Sequence, residues 1–277
     1  MKIGIVALGL IGGSILKSLS LIKNKNIELI AISQNQNTLN EIKCVCSKCS
    51  SDLTDLAVCD VVFVCTPISK TLETLDILEN ILPATCIVTD VASVKEFVTA
   101  KTRNYKFIGS HPMAGLETSG FSAAIPTLFE GAKWVLTPNN STEQVDIDFL
   151  TTIIELMGAS VVIADAKEHD KAVALISHLP MLIAQSLFKN AANDSLALNL
   201  AASGFRDTTR LAMTNSSFAE DMLAYNRHNI AEALNSFLNT TNELFVSTNY
   251  RESLTEIIDS RKNLYSKLGK NIYNSNN

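Results

Sequence analysis

Arginine is scarce in this chain, at six of 277 residues, and the formal net charge is −5. With a pI near 5.4 there is no basic excess to cover a phosphate backbone, so nucleic acid is not an expected partner. Charged residues amount to only 18% and aromatic residues to 6%. No uninterrupted apolar run reaches the roughly 20 residues of a membrane span. The stretch from Ile3 to Leu21 comes near, but Gly4, Gly9, Gly12, Gly13, Ser14, Lys17 and Ser18 break it. It reads as strand, turn and helix rather than as the Leu-rich core of a signal peptide. The stretch from Ala172 to Phe188 is interrupted by His178, Pro180 and Gln185 and reads as a buried helix. No membrane partner is expected. Without a secretory signal, a reducing cytoplasmic location is the expectation. The six cysteines all fall in the first third, and Cys44, Cys46 and Cys49 lack the second Cys or His pair of a zinc site. They read as packing residues, and no metal is expected.

What is present is apolar. Hydrophobic residues make up 47% of the chain, and the mean hydropathy is +0.18. That composition excludes a disordered protein and requires extensive burial. Short continuous apolar runs alternate with helical patterns in the first half. Strands are expected at Lys2–Leu8, Ile27–Ile32, Val61–Cys65, Cys86–Val91, Lys106–Gly109, Trp134–Thr137 and Ser160–Ala164. Helices are expected at Gly13–Lys23, Asn37–Cys46, Ser69–Leu82, Val94–Lys101 and Asp146–Met157. Continuous apolar strands separated by helices indicate an α/β, Rossmann-type doubly wound parallel sheet. From Glu168 to Lys267 apolar residues recur at helical spacing, as at Ile230, Leu234 and Phe237. The expected domains are therefore 1–166, dinucleotide-binding, and 167–277, all-α, with the Asn/Ser-rich tail 271–277 frayed.

Ala7-x-Gly9-x-x-Gly12 follows a strand and opens a helix, the context that a dinucleotide fingerprint requires. Gly9 lets the backbone approach a pyrophosphate, Gly12 lets helix and strand pack closely, and Leu10 and Ile11 lie in the same anion-facing turn. Ala7 stands where a first glycine is usual, and alanine suits the turn only if its φ stays negative. The second strand ends in Ala31-Ile32-Ser33-Gln34-Asn35, without the acid that would bind a ribose 2′-hydroxyl. Ser33, Gln34 and Thr38 could donate to a 2′-phosphate, although no arginine stands by to clamp it. NADP is favoured over NAD on this ground.

Four segments carry polar residues that the fold does not demand. Asp90-Val91-Ala92-Ser93-Val94-Lys95-Glu96 lies at a strand-to-helix junction, where Ser93 and Glu96 also fit a capping box. Ser110-His111-Pro112-Met113-Ala114-Gly115 places a histidine before proline, a position expected outside regular structure. Ser177-His178-Leu179-Pro180 sits within an apolar segment, where a lone histidine is commonly core. Gly204-Phe205-Arg206-Asp207-Thr208-Thr209-Arg210 sets arginine beside an aromatic residue, as carboxylate recognition favours. Arg210 is equally suited to a salt bridge with Asp207 or Glu220, and His169-Asp170 to tuning a helix end.

Taken in order, these segments resemble the prephenate/arogenate dehydrogenase family of tyrosine biosynthesis. The resemblance runs to about Arg227 and continues beyond it only in character. It implies oxidative decarboxylation of a cyclohexadienol, arogenate or prephenate, with hydride transfer to NADP or NAD. It implies that His111 receives the hydroxyl proton and that Ser93 hydrogen-bonds His111 or the hydroxyl. Arg206 would bind the carboxylate, with Arg210 a second candidate, and His178 would face the substrate. Glu117 would stand near the entrance, and Thr66-Pro67 near the nicotinamide. A homodimer through the C-terminal helices would bury the surplus apolar surface. Two other readings remain open. One is a β-hydroxy acid dehydrogenase of the same build, although Lys171 and Lys189 lack a convincing catalytic context. The other is a nicotinamide-binding sensor without turnover, to which only Ala7 points.

Overall fold

The computed structural model describes residues 1–22 and 26–267. Lys23 at the expected end of the first helix, and the tail from 271, lie outside the described residues. The chain divides into two compact units, Met1–Ile230 and a second that begins at Ala231. The first opens with alternating elements: β1 (Lys2–Val6), α1 (Leu10–Ser20), β2 (Glu28–Ile32), α2 (Gln36–Ile42), β3 (Lys48–Ser50), β4 (Val61–Val64), α3 (Ile68–Leu78), β5 (Ile87–Asp90), α4 (Glu96–Thr99) and β6 (Lys106–Phe107). The six strands form one parallel sheet in the order β3-β2-β1-β4-β5-β6, the doubly wound arrangement of dinucleotide-binding folds.

Both faces of the sheet are covered. Ile3, Ile5, Ala31, Phe63 and Ile87 join one core with Ile15, Leu16 and Leu19 of α1. Val6, Ile30, Ile32, Val62, Val64 and Val88 join the other with Leu75 and Leu78 of α3. Each such side chain contributes about 1.5–3 kcal/mol on leaving water, so an uninterrupted apolar run is what this register needs. The short β3, carrying Cys49, falls in a segment that reads as helix and loop from sequence. All six cysteines are free thiols.

The strand expected at Lys106–Gly109 ends sooner in this sheet. After Phe107 pairs with Val88, the chain leaves the sheet and forms β7 (Gly109–Pro112), β8 (Lys133–Thr137), α5 (Gln144–Leu156) and β9 (Ser160–Ile163). These strands make a separate three-stranded sheet, β7-β8-β9, with β7 antiparallel to β8. The physical reason lies at Ser110, whose amide is taken by the Asp90 carboxylate at 3.1 Å instead of by a ladder partner. His111 therefore sits on a strand opposite Val135, not outside regular structure.

Beyond residue 163 the described chain is helical: α6 (Ala166–Val173), α7 (Leu179–Ala191), α8 (Ser195–Asn199), α9 (Ser203–Thr208), α10 (Ser216–Tyr225), α11 (Arg227–Val246) and α12 (Tyr250–Lys267). Asp165, Asp194 and Asn215 cap α6, α8 and α10 through their side chains. The second unit consists of the remainder of α11 and α12. Between α6 and α7 a π-turn spans Ala174–His178, in which the Leu179 amide bonds the Ala174 carbonyl five residues back. Pro180 has no N–H for the regular ladder, and the wider turn accommodates it. The continuous helix 166–191 is long and apolar enough, by length and composition, to cross a membrane. Its stretch from Ala172 to Phe188, expected as a buried helix, is buried in part. Val173, Ala174, His178, Leu179, Met181 and Ala184 are buried, whereas Leu175, Ile176, Leu187 and Phe188 are exposed.

Candidate active site

The turn between β1 and α1 is built by close approach. A Cβ on Gly12 would collide with the Ala7 carbonyl oxygen and meet Cys65 Cβ at 3.0 Å, so only glycine fits between helix and strand. A Cβ on Gly9 would meet nothing within 4 Å. No side chain caps α1, which leaves the amides of its first turn available to an anion. Ala7 adopts φ +67°, contrary to the negative φ expected. Its carbonyl must turn toward Gly12, and the main chain there takes the left-handed geometry that a first glycine ordinarily supplies. This glycine cradle and uncapped helix fit a dinucleotide pyrophosphate.

At the end of β2 the side chains face differently than expected. Ser33 is buried, and its Oγ accepts the Asn35 amide at 3.2 Å. Thr38 is buried too, under the first turn of α2, which Asn35 caps. Gln34 is exposed and donates to the Ser51 carbonyl at 3.2 Å, so it alone of the three presents an exposed side chain. Thr66 lies 3.3 Å from the Thr71 hydroxyl, and Pro67 caps the start of α3.

A buried polar network starts where β5 ends. Lys95 and Asp90 form an ion pair with no exposure of either side chain. Burial pushes the Lys95 amine down, and Asp90 opposes that shift. Lys95 Nζ also donates to the Ser110 carbonyl at 2.7 Å. The Ser110 hydroxyl donates to the Asp90 carbonyl at 2.5 Å and accepts from Trp134 Nε1 at 2.9 Å. These bonds lock the backbone that carries the next residue, His111. Its Nδ1 lies 2.9 Å from His169 Nε2, and His169 Nδ1 lies 2.8 Å from Asp170 Oδ1. Burial, then His169, Lys95 and His178, hold the His111 imidazole well below its ordinary range, so it is neutral near pH 7.

Asp170 takes the place of the capping box that Ser93 and Glu96 also fit. Its carboxylate accepts the Lys95 and Glu96 amides at 2.7 and 2.8 Å and caps α4 from another element. Ser93 Oγ is thereby left buried with no hydrogen-bond partner among the described residues, bonded neither to Glu96 nor to His111. His178 is fully buried. Its Nδ1 lies 3.1 Å from Asn226 Nδ2, which also donates to the Asp170 carbonyl at 2.8 Å. Since that carbonyl can only accept, Asn226 presents its NH₂ to both, and His178 carries its proton on Nε2. That Nε2 is also buried without a partner. Burial pushes the His178 pKa down to about 4. The set thus offers a neutral base, a hydroxyl and an imidazole N–H, the groups needed to handle a substrate alcohol.

His169, Asp170 and Asn226 are the members that sequence reasoning passed over. His169-Asp170 read as a helix-end pair because the pairing to His111 spans 58 residues. The two candidate arginines stand elsewhere, both exposed. Arg206 Nε pairs with Asp207 at 3.0 Å. Arg210 pairs with Glu117, not with Asp207 or Glu220, and this pair holds the Glu117 carboxyl below its usual range. Among the described residues no three His, Cys, Asp or Glu side chains converge as metal ligands.

Comparison with known proteins fits this arrangement. Residues 19–163 match the family model "Prephenate dehydrogenase, nucleotide-binding domain", and residues 165–260 match "Prephenate dehydrogenase, dimerization domain". A prephenate dehydrogenase of Bacillus subtilis is 32% identical over 84% of this chain, and the match covers 66% of that relative's length. The crystal structure of Synechocystis arogenate dehydrogenase superposes with a TM-score of 0.81 at 33% identity, covering 97% of this chain and 100% of that one. Prephenate dehydrogenase from A. aeolicus, solved with hydroxyphenyl propionate and NAD+, gives 0.80 at 26% identity and 96% coverage of both chains. A parallel sheet with a glycine cradle, followed by helices that bring a buried histidine network to its edge, is therefore the build of a nicotinamide-dependent dehydrogenase, and the chain belongs to the prephenate dehydrogenase family.

Proposed function

We propose that this chain oxidises and decarboxylates a cyclohexadienol, arogenate or prephenate, giving tyrosine or 4-hydroxyphenylpyruvate. The observation that carries the reading is the neutral His111, within electrostatic reach of His178, together with two buried polar atoms without a partner among the described residues, His178 Nε2 and, just past the end of β5, Ser93 Oγ. Ligands of doubly wound sheets bind at the carboxyl ends of the strands.

When bound, the nicotinamide supplies the hydride acceptor. Gly9, Leu10, Ile11 and Gly12 would hold its pyrophosphate, with Thr66 and Pro67 along the path to the ring. His111 accepts the hydroxyl proton at its free ring nitrogen. Ser93 and His178 donate hydrogen bonds that orient the oxygen, and Arg206 binds the ring carboxylate. Arg210 and Glu117, already paired, border the entrance. Holding the alcohol and carboxylate at fixed points brings the reacting carbon to the cofactor, and aromatisation of the ring then drives loss of carbon dioxide. Positions 1–166 bind the dinucleotide and carry His111 and Ser93, and 167–277 supply the remaining substrate contacts and the dimer.

NADP is the preferred cofactor, because β2 ends without an acid and Gln34 is exposed where a 2′-phosphate would lie. The location is cytoplasmic, and the partner is a second copy of the chain. The test is a two-by-two assay of prephenate or arogenate against NAD or NADP, following nicotinamide reduction. Reduction in at least one combination is expected, faster with NADP. Absence of turnover in all four would overturn the reading.

A further inference from the structure

We infer that His169 and Asp170 form a proton relay behind His111, so that the proton taken from the substrate hydroxyl comes to rest on His169. The inference rests on the dehydrogenase reading for the identity of the substrate, and on the observed geometry for the relay itself.

The proton positions follow from the chain of bonds. Asp170 is held on three sides, its two carboxylate oxygens by the Lys95 and Glu96 amides and its carbonyl by Asn226. A carboxylate can only accept, so the 2.8 Å contact to Oδ1 puts a hydrogen on His169 Nδ1. In the neutral ring His169 Nε2 is then a bare acceptor. It faces His111 Nδ1 at 2.9 Å, with the rings near perpendicular at 80°, so His111 must carry its hydrogen on Nδ1. The lone pair left over is at His111 Nε2, where a base is required. In this way Asp170 selects the reactive tautomer of a histidine that it does not touch.

The same contacts give the proton a destination. An imidazolium at His111 is opposed by burial and by the cations or potential cations around it, His169, Lys95 and His178. Asp90 answers the charge of Lys95 through its own ion pair, and Asp170 lies one ring further off. When the substrate O–H bond breaks and an N–H bond forms at His111 Nε2, the His111 Nδ1–H bond can break while a new one forms at His169 Nε2. His111 is again neutral, and the positive charge rests on His169 in contact with the Asp170 carboxylate. His169 is therefore a positioning residue that also stores the proton; once product leaves, the hydrogen returns from His169 Nε2 to His111 Nδ1 as the His111 Nε2–H bond breaks and that proton passes to water in the emptied site, which resets the pair.

Two variants of the full-length protein separate relay from scaffold. His169→Phe removes the acceptor. His169→Gln keeps an acceptor oxygen for His111 Nδ1–H but cannot take the proton. With melting temperature and cofactor affinity retained, both are expected to lower kcat by about 10–100-fold with little change in KM, part of the 10²–10⁴ that general-base catalysis contributes. The acid limb of the kcat–pH profile should move to lower pH, because His111 alone holds a proton poorly. Nitrogen-15 histidine spectra of the wild type should show both His111 and His169 protonated at Nδ1. The Nδ1–H state of His111 should persist in His169→Gln and be lost in His169→Phe. A wild type with His111 protonated at Nε2, or a His169→Gln enzyme with unchanged kcat and acid limb, would overturn the relay. A wild type inactive on both substrates would instead sink the dehydrogenase reading, and the spectra would still decide the relay.

Discussion

At the scale of single residues, the chemistry is concentrated on a few side chains with unusual surroundings. Replacing His111 by Ala removes the proposed base but touches nothing in the glycine cradle. The expected result is a fall in kcat of roughly 10²–10⁴ with cofactor binding retained, measured by steady-state kinetics and by cofactor titration. Loss of cofactor affinity instead would show that His111 serves the dinucleotide. Arg206 is exposed and, among the described residues, pairs only with its neighbour Asp207, so the proposed carboxylate contact requires no buried bond to break. Arg206→Ala should raise KM about 10–100-fold, since a charge-assisted hydrogen bond is worth roughly 1.5–3 kcal/mol. His178 makes a different prediction. Its pKa is about 4 in the folded protein, against an ordinary value of 6.5. Between those values the unfolded chain binds a proton that the folded chain refuses, so stability is full above pH 6.5 and declines as the pH falls toward 4. The decline attributable to this ring is up to about 3 kcal/mol, and the lowered His111 acts with the same sign. Urea denaturation of wild type and His178→Gln across that range should show the slope reduced in the variant.

At the scale of elements, what the sequence reveals depends on whether the cause is local. The inner strands of the six-stranded sheet are legible because they are buried on both faces and so are apolar almost throughout, as in Val61–Val64. The glycine turn is legible because only glycine passes at Gly12. By contrast, β3 is only three residues long and takes its identity from pairing with β2, which no local pattern announces. Likewise β7 is set by Asp90, twenty residues away, taking the Ser110 amide. His169 and Asp170 escape notice for the same reason, since their partners lie on other elements. His111 stands out in the sequence because proline and glycine lie nearby, although its backbone is a strand paired with β8 and not the irregular segment that this pattern suggests. Ala7 shows the local rule being broken within an element junction. The left-handed conformation costs a non-glycine residue about 1–2 kcal/mol. Ala7→Gly relieves that strain and loses about 0.5–1 kcal/mol to the freer unfolded chain. The expected outcome is a net stabilisation of up to about 1 kcal/mol, read by denaturant melts, with the KM for the cofactor unchanged or lowered. A destabilised variant would mean that the alanine methyl makes a packing contact worth more than the strain.

At the scale of the whole molecule, the positive mean hydropathy has to be reconciled with surface that one chain leaves bare. The sheet accounts for part of it, because its strands are enclosed. The helices do not. In the first unit Ile176, Leu196, Leu200 and Met213 are 67%, 63%, 72% and 76% exposed, and in the second Phe245 and Val246 are 87% and 73% exposed. All six fall within the segment 165–260 that matches a dimerisation domain. Large apolar groups on this scale, on a monomer, mark an interface. A stable homodimer buries about 1,600 Å² or more in total, and obligate ones are the more apolar. The helix 166–191 gives the sharpest test, because its outer face could in principle meet lipid or protein. With His178 buried on the opposite face and held by Asn226, that helix is already committed on one side to a polar network. We therefore expect sedimentation equilibrium at micromolar concentration, without detergent, to give about 60 kDa, twice the 30.1 kDa of one chain. Ile176→Glu should shift the equilibrium toward monomer in a concentration-dependent way, because burying an unpaired carboxylate in an apolar interface is costly. A monomeric wild type at that concentration would defeat the dimer. Recovery only in the membrane fraction would show that lipid, not a second copy, covers the exposed face of that helix.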